Sequence, residues 1–162
     1  MNRACAFGLL ALVAAGAAAA QDFRGGLSSY NLGDYASALA QWRALAERDD
    51  PDSQAALAFL LFKGLGVERN EAQAAYWYGR AAEQGQPEAQ LFLGWAFLEG
   101  NGVARDYILA HKWCDIAYSS GAADAALYCR DSAAQRLTPE ELRQSVRQVT
   151  EWFDRHRPPR RP

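Results

Sequence analysis

Residues 51–86 and 87–122 state one pattern twice. Set one above the other without a gap, the two 36-residue blocks agree at eleven positions. These include Pro51/Pro87, Gln54/Gln90, Gly64/Gly100, Gly66/Gly102, Trp77/Trp113 and Gly85/Gly121. Self-similarity at a fixed period of 20–50 residues signals stacked units, each needing its neighbour to bury its apolar face. The chain has 162 residues, so such a stack makes up a large part of it.

Each unit reads as a helix, a turn and a second helix. Leu57, Leu60 and Leu61 recur at helical spacing within 52–63. Gly64 supplies the left-handed stop, and Gly66 with Val67 forms the turn. Asn70 is placed to cap the second helix, and Asp106 does so one period later. Ala74, Trp77, Tyr78 and Ala81 share a face of that helix. Gly85 ends it, and Pro87 opens the next helix where a missing N–H costs nothing. Small residues at Ala58, Gly94 and Ala81 allow close approach, with large side chains filling the remainder. Trp77 and Tyr78 therefore read as packing residues rather than ligand contacts, since Trp113 and Cys114 return in their slots.

The segments AQLFLGWAFLEGNGVARD at 89–106 and AAYWYGRAAEQG at 74–85 resemble the Sel-one-like repeat, a 36-residue subclass of the tetratricopeptide superfamily. The resemblance covers residues 51–122 strongly and the flanks weakly. It implies an all-α fold, a right-handed α-solenoid of about four antiparallel helix hairpins, and a role as scaffold or adaptor for other proteins. On that reading residues 21–50 are an atypical N-terminal hairpin, with Gly33-Asp34 at its turn. Residues 51–86 and 87–122 are two repeats, and 123–155 are a degenerate third that ends in a capping helix. Within the last segment Thr138, Pro139 and Glu141 spell a capping box. Leu142, Val146, Val149 and Trp152 or Phe153 form its expected apolar stripe. Eight helices are expected, near 22–32, 35–48, 52–63, 70–84, 88–99, 106–119, 123–136 and 139–155.

The ends are of a different character. Residues 1–20, MNRACAFGLLALVAAGAAAA, join Arg3 to an apolar run ending in Ala18-Ala19-Ala20, the pattern of a cleaved export signal. An uncleaved membrane anchor is the other reading of so short a run. Periplasmic or secreted localisation is expected, with no membrane insertion after cleavage. Residues 21–154 hold twelve basic and nineteen acidic side chains, a balance of −7. An acidic body of this kind argues against nucleic acid as partner. Residues 156–162 continue a basic, Pro-rich tail in which 155–162 carry four Arg and no acid.

Export gives meaning to Cys114 and Cys129, the pair left after cleavage. Cys129 takes the slot of Leu57 and Leu93, and Cys114 that of Tyr78. Both lie about two helical turns from the bend near Ser120-Gly121, which brings their Cα atoms into the bridging range of up to about 7 Å. A disulfide is expected; two small buried thiols are the alternative. Exported proteins of the resembled family also carry cysteines between neighbouring helices.

Parts for chemistry are missing. The sequence has neither Gly-x-Ser-x-Gly nor Ser-x-x-Lys. The Gly64-Leu65-Gly66 and Gly100-Asn101-Gly102 turns lack the Lys and preceding strand of a phosphate loop. The histidines are His111, expected exposed beside Lys112, and His156, expected in the frayed tail; neither has metal-ligand spacing. No enzyme, metal or cofactor is expected. The expected partner is a protein or peptide. First helices line the concave side of tetratricopeptide-like arrays. By that analogy the contact candidates are Phe59, Phe62 and Lys63 in one repeat and Trp95, Leu98 and Glu99 in the next. Phe59 and Trp95 read equally well as packing between repeats. The alternative function is a module that binds envelope polysaccharide or peptidoglycan, because aromatic rings also stack on sugars.

Overall fold

Side-chain acceptors placed one residue ahead set where most of the helices start. Asp34, Asp50, Asn70, Gln86 and Asp106 each accept from a backbone N–H three residues on, at 2.6–3.1 Å, which satisfies one of the orphan donors of a helix N-terminus. The computed structural model describes residues 23–156. The expected export signal, and the tail beyond His156, lie outside the described residues.

The described chain is helical throughout, with no strand among the described residues. Residues 23–31 form α1. It is followed by α2 (Tyr35–Ala46), α3 (Pro51–Lys63), α4 (Glu71–Glu83), α5 (Pro87–Glu99), α6 (Tyr107–Ser119), α7 (Ala123–Ala134) and α8 (Pro139–His156). From α2 to α7 each helix packs on the next, and α5 also touches α7. This is the layered stack of a solenoid.

Two devices recur at each joint. The buried amide of Gln54 donates to Ala46 O, and that of Gln90 to Ala82 O, both at 3.2 Å. Each ties a first helix to the end of the second helix before it. The second turn glycine lies against the start of an earlier second helix. A Cβ on Gly66 would sit 2.6 Å from Tyr35 C, and one on Gly102 would sit 2.1 Å from Glu71 O. Both glycines also have positive φ, at 68° and 72°. Here the backbones meet, and only glycine fits.

The main core interleaves fully buried Leu57, Leu60, Leu61 and Ile116 with alanines such as Ala58, Ala74 and Ala81. Cys114, Cys129, Leu98, Ala110 and Ala133 make a second, smaller cluster. Burial of a Leu or Ile side chain contributes roughly 1.5–3 kcal/mol, and the alanines let the helix axes close in around these residues.

The C-terminal cap starts as the sequence implies. Thr138 N donates to Glu141 Oε2 at 2.8 Å, and Glu141 N donates back to Thr138 Oγ1 at 3.3 Å. Its packing departs from the expected stripe. The helix lies on α6 and buries Ser145, Val149 and Trp152, while Val146 is 48% exposed. Crossing α6 turns the helix by one position, which replaces Val146 with Ser145 at the interface. Trp152 meets Trp113 edge-on at 6.5 Å, and its Nε1 donates to Glu83 Oε2 at 3.2 Å. The cap thus fastens α6 to the end of α4.

Candidate functional site

The first helices α3, α5 and α7 present rings to solvent at repeat-related positions. On α5, Phe92 is 36% exposed and stacks on Tyr78 of α4 at 5.0 Å. Trp95 is half-buried and stacks on Tyr128 of α7 at 5.9 Å, leaving Tyr128 67% exposed. On α3, Phe59 is half-buried beside Tyr30. Lys63 is exposed, with Nζ 5.9 Å from the Phe59 ring centre and 5.6 Å from that of half-buried Phe62. Such contacts give an ammonium modest cation–π stabilisation.

Five of the six expected contact residues, Phe59, Phe62, Lys63, Trp95 and Glu99, are at least partly exposed. Leu98 is not. It is 7% exposed in the core cluster of the cysteines, because its side of α5 faces α6 and α7 rather than solvent. Sequence reasoning passed over Phe92 and Tyr128. They occupy one slot of the 36-residue period, four positions after the acid of the first turn, and that register was the available signal. The acids of that turn, Asp52, Glu88 and Asp124, are exposed and also repeat at 36 residues.

Trp77 is half-buried, edge-on to a 59% exposed Tyr76 and beneath the Arg80 guanidinium. Trp113, in the same slot, is only 4% exposed under Trp152. The difference is the cap, which lies over α6. A cleft of about 830 Å³ opens nearby, lined by Tyr76, Gly79, Arg80, Glu83, Phe97 and Trp113.

Both histidines are placed otherwise than the sequence suggests. His111 is 5% exposed, because α8 covers it. Ser145 Oγ donates to Ile108 O at 3.0 Å, so its lone pair accepts from His111 Nδ1–H at 2.9 Å. That direction assigns the ring proton to Nδ1. The serine is wholly buried and its proton is committed to a carbonyl, so the pair braces α8 on α6. Burial lowers the His111 pKa, opposed by the Asp115 carboxylate. Lys112, 9% exposed, rests 4.1 Å over the Trp113 ring, and burial lowers its pKa against the pull of Glu83. His156 does not fray. It stacks on Trp152, with ring nitrogens 2.8 Å from Trp152 O and 2.7 Å from Glu83 O.

The cysteines form the Cys114–Cys129 disulfide, with Cα atoms 5.8 Å apart. Gly94 makes room for it, since a Cβ there would lie 2.3 Å from Cys114 Sγ.

The Sel1 repeat profile matches residues 51–86 and 87–121. Among solved structures, the chain is similar to a Sel1 repeat protein from Oxalobacter formigenes. The two are 30% identical with a TM-score of 0.64, over 76% of this chain and 98% of that one. This chain belongs to the Sel1-repeat family. It is also similar to c5321, a protective antigen present in uropathogenic Escherichia coli strains that displays an SLR fold. That match has 29% identity and a TM-score of 0.79 over 94% of this chain. This Sel1-repeat chain spans about a third of the E. coli protein's length, 33%. No curated protein matches it. Sel1 repeats commonly serve as non-enzymatic scaffolds for protein–protein interaction. Among the described residues no helix is long and apolar enough to cross a membrane, and the disulfide suits an oxidising compartment.

Proposed function

We propose that the protein is an exported scaffold that holds a short peptide or a single helix of a protein partner on its first-helix face. The observation that carries this reading is the row of exposed or half-buried rings Phe92, Trp95 and Tyr128 along α5 and α7. Aromatic side chains dominate binding energy at protein interfaces, and a contiguous exposed apolar patch is costly in water unless a partner covers it. Export is supported by the signal-like residues 1–20 and by a disulfide of the kind that persists only where thiols are oxidised.

The test is site-specific photocrosslinking in the periplasm. A crosslinking amino acid at Tyr128 is expected to trap a partner polypeptide. The same group at Gln144, on the outer side of α8, is expected to trap none. Binding of the purified protein to peptidoglycan sacculi, lost on Trp95→Ala, would instead favour a polysaccharide module and sink the peptide reading.

A further inference from the structure

The pocket between α1, α3 and α5 has walls of rings and a rim of carboxylates. Phe23, Phe59 and Phe92 line it together with Asp52 and Glu88, around a space of about 250 Å³. Tyr78 lines it as well. That tyrosine is 4% exposed, and its hydroxyl has no hydrogen-bond partner among the described residues. A buried polar atom left unpaired costs about 1–3 kcal/mol, so the wall beside the pocket carries an unmet hydrogen bond. Burial raises the phenol pKa, so the group stays protonated, with one donor and free lone pairs.

The repeat register explains why the space opens here. Ala56 holds the slot that Phe92 takes one period later, and the small side chain leaves room where a ring would fill it. Tyr78 holds the slot of Cys114, whose sulfur is bonded to Cys129.

The rim is negative. Asp52 and Glu88 stand in the first turns of α3 and α5, and neither has an ion-pair partner among the described residues. Among the described residues, Glu88 Oε2 accepts from Gln86 Nε2, at 2.7 Å. Ring faces attract cations, and carboxylates bind ammonium and guanidinium groups through charge-assisted hydrogen bonds. Aliphatic stems of long basic side chains lie well against apolar walls while the charged head stays among polar groups.

We propose that this pocket receives a Lys or Arg side chain of the bound peptide. The phenyl rings flank its stem, and Asp52 and Glu88 pair with its charge. The inference rests on the peptide-scaffold reading above and adds the chemistry of the partner: a cationic side chain anchoring a segment whose apolar residues run on toward Trp95 and Tyr128.

The experiment uses three blocked tripeptides, Gly-Arg-Gly, Gly-citrulline-Gly and Gly-Leu-Gly, titrated into the whole protein while backbone amide shifts are followed by NMR. The arginine peptide is expected to move the amides of Ala55, Ala56 and Gln86. Citrulline, isosteric but uncharged, is expected to bind roughly tenfold or more weakly. Asp52→Asn with Glu88→Gln should weaken the arginine peptide by a similar factor. Ala56→Phe, which copies the next repeat, should abolish its binding. Equal binding of the three peptides, persistence of the arginine shifts in both variants, or no shift in the unaltered protein would each overturn the pocket. If the Ala56→Phe protein still crosslinks its partner from position 128 as strongly as before, the docking face stands and the pocket inference falls.

Discussion

Gln84 Nε2 donates to Gln54 Oε1 at 2.8 Å, and this bond has no counterpart one repeat later. Gln90 Oε1, in the slot of Gln54, has no hydrogen-bond partner among the described residues. The cause is the residue that follows α6. Ser120 stands in the slot of Gln84 and is too short to reach. The two backbones agree closely, with φ and ψ of −87° and 2° at Gln84 and −90° and 0° at Ser120. Ser120→Gln is therefore expected to satisfy Gln90 and stabilise the fold by about 1 kcal/mol. Denaturant midpoints measure it, and an unchanged midpoint would refute the account.

The two glycines of the second repeat's turn are not equivalent. Gly100, at φ 80°, has its nearest outside neighbour, Arg105 Cβ, 3.5 Å from a built Cβ. Gly100→Ala should cost about 1 kcal/mol in backbone strain alone. At Gly102 the added carbon would strike the Glu71 carbonyl, so α4 or the turn must move. Gly102→Ala is expected to cost at least about 2–3 kcal/mol. Thermal denaturation of the two variants side by side decides it, and equal losses would show that α4 yields freely.

His111 makes stability depend on acidity in a stated direction. Burial holds its folded pKa below the ordinary value of 6.5, with Asp115 and Asp131 opposing and Arg130 assisting. Stability from the neutral ring is complete above that ordinary value. It falls as pH drops through it, because the unfolded chain takes up a proton that the native ring resists. The slope cannot exceed about 1.4 kcal/mol per pH unit for one proton. In His111→Asn the amide still donates toward Ser145 and does not titrate. That variant should lose stability at every pH yet show a smaller drop between pH 7.5 and 5.5. An unaltered drop would assign the acid sensitivity to other groups.

The disulfide joins cysteines 15 residues apart. In the chain-entropy description, closing such a loop stabilises by about 3 kcal/mol. Replacing both cysteines by Ala should lower stability by about that amount or somewhat more, since two fully buried sulfurs are also removed. Urea unfolding with and without reductant provides the check. Reductant is expected to act on the unaltered protein and to leave the variant unchanged.

Trp152→Ala removes the ring that covers Trp113 and the donor to Glu83. A loss of about 3–5 kcal/mol is expected, together with faster amide exchange along α8. If α8 keeps its exchange protection, other contacts of the cap hold it in place.

What the sequence determined by itself is local or periodic. The Gly-x-Gly-Val turns, the caps at Asn70 and Asp106 and the capping box at Thr138 each depend on residues within a few positions of one another. The Cys114–Cys129 proximity follows from one hairpin and the register of one repeat. Tertiary structure decided whatever depends on a helix meeting a distant one. The crossing of α8 over α6 buries His111, puts Ser145 rather than Val146 at the interface, and ties His156 to Glu83, 73 residues away. The burial of Leu98 and the unpaired hydroxyl of Tyr78 have the same origin. The period of a helix says which residues share a face, and only the packing of another helix says which of those faces is dry.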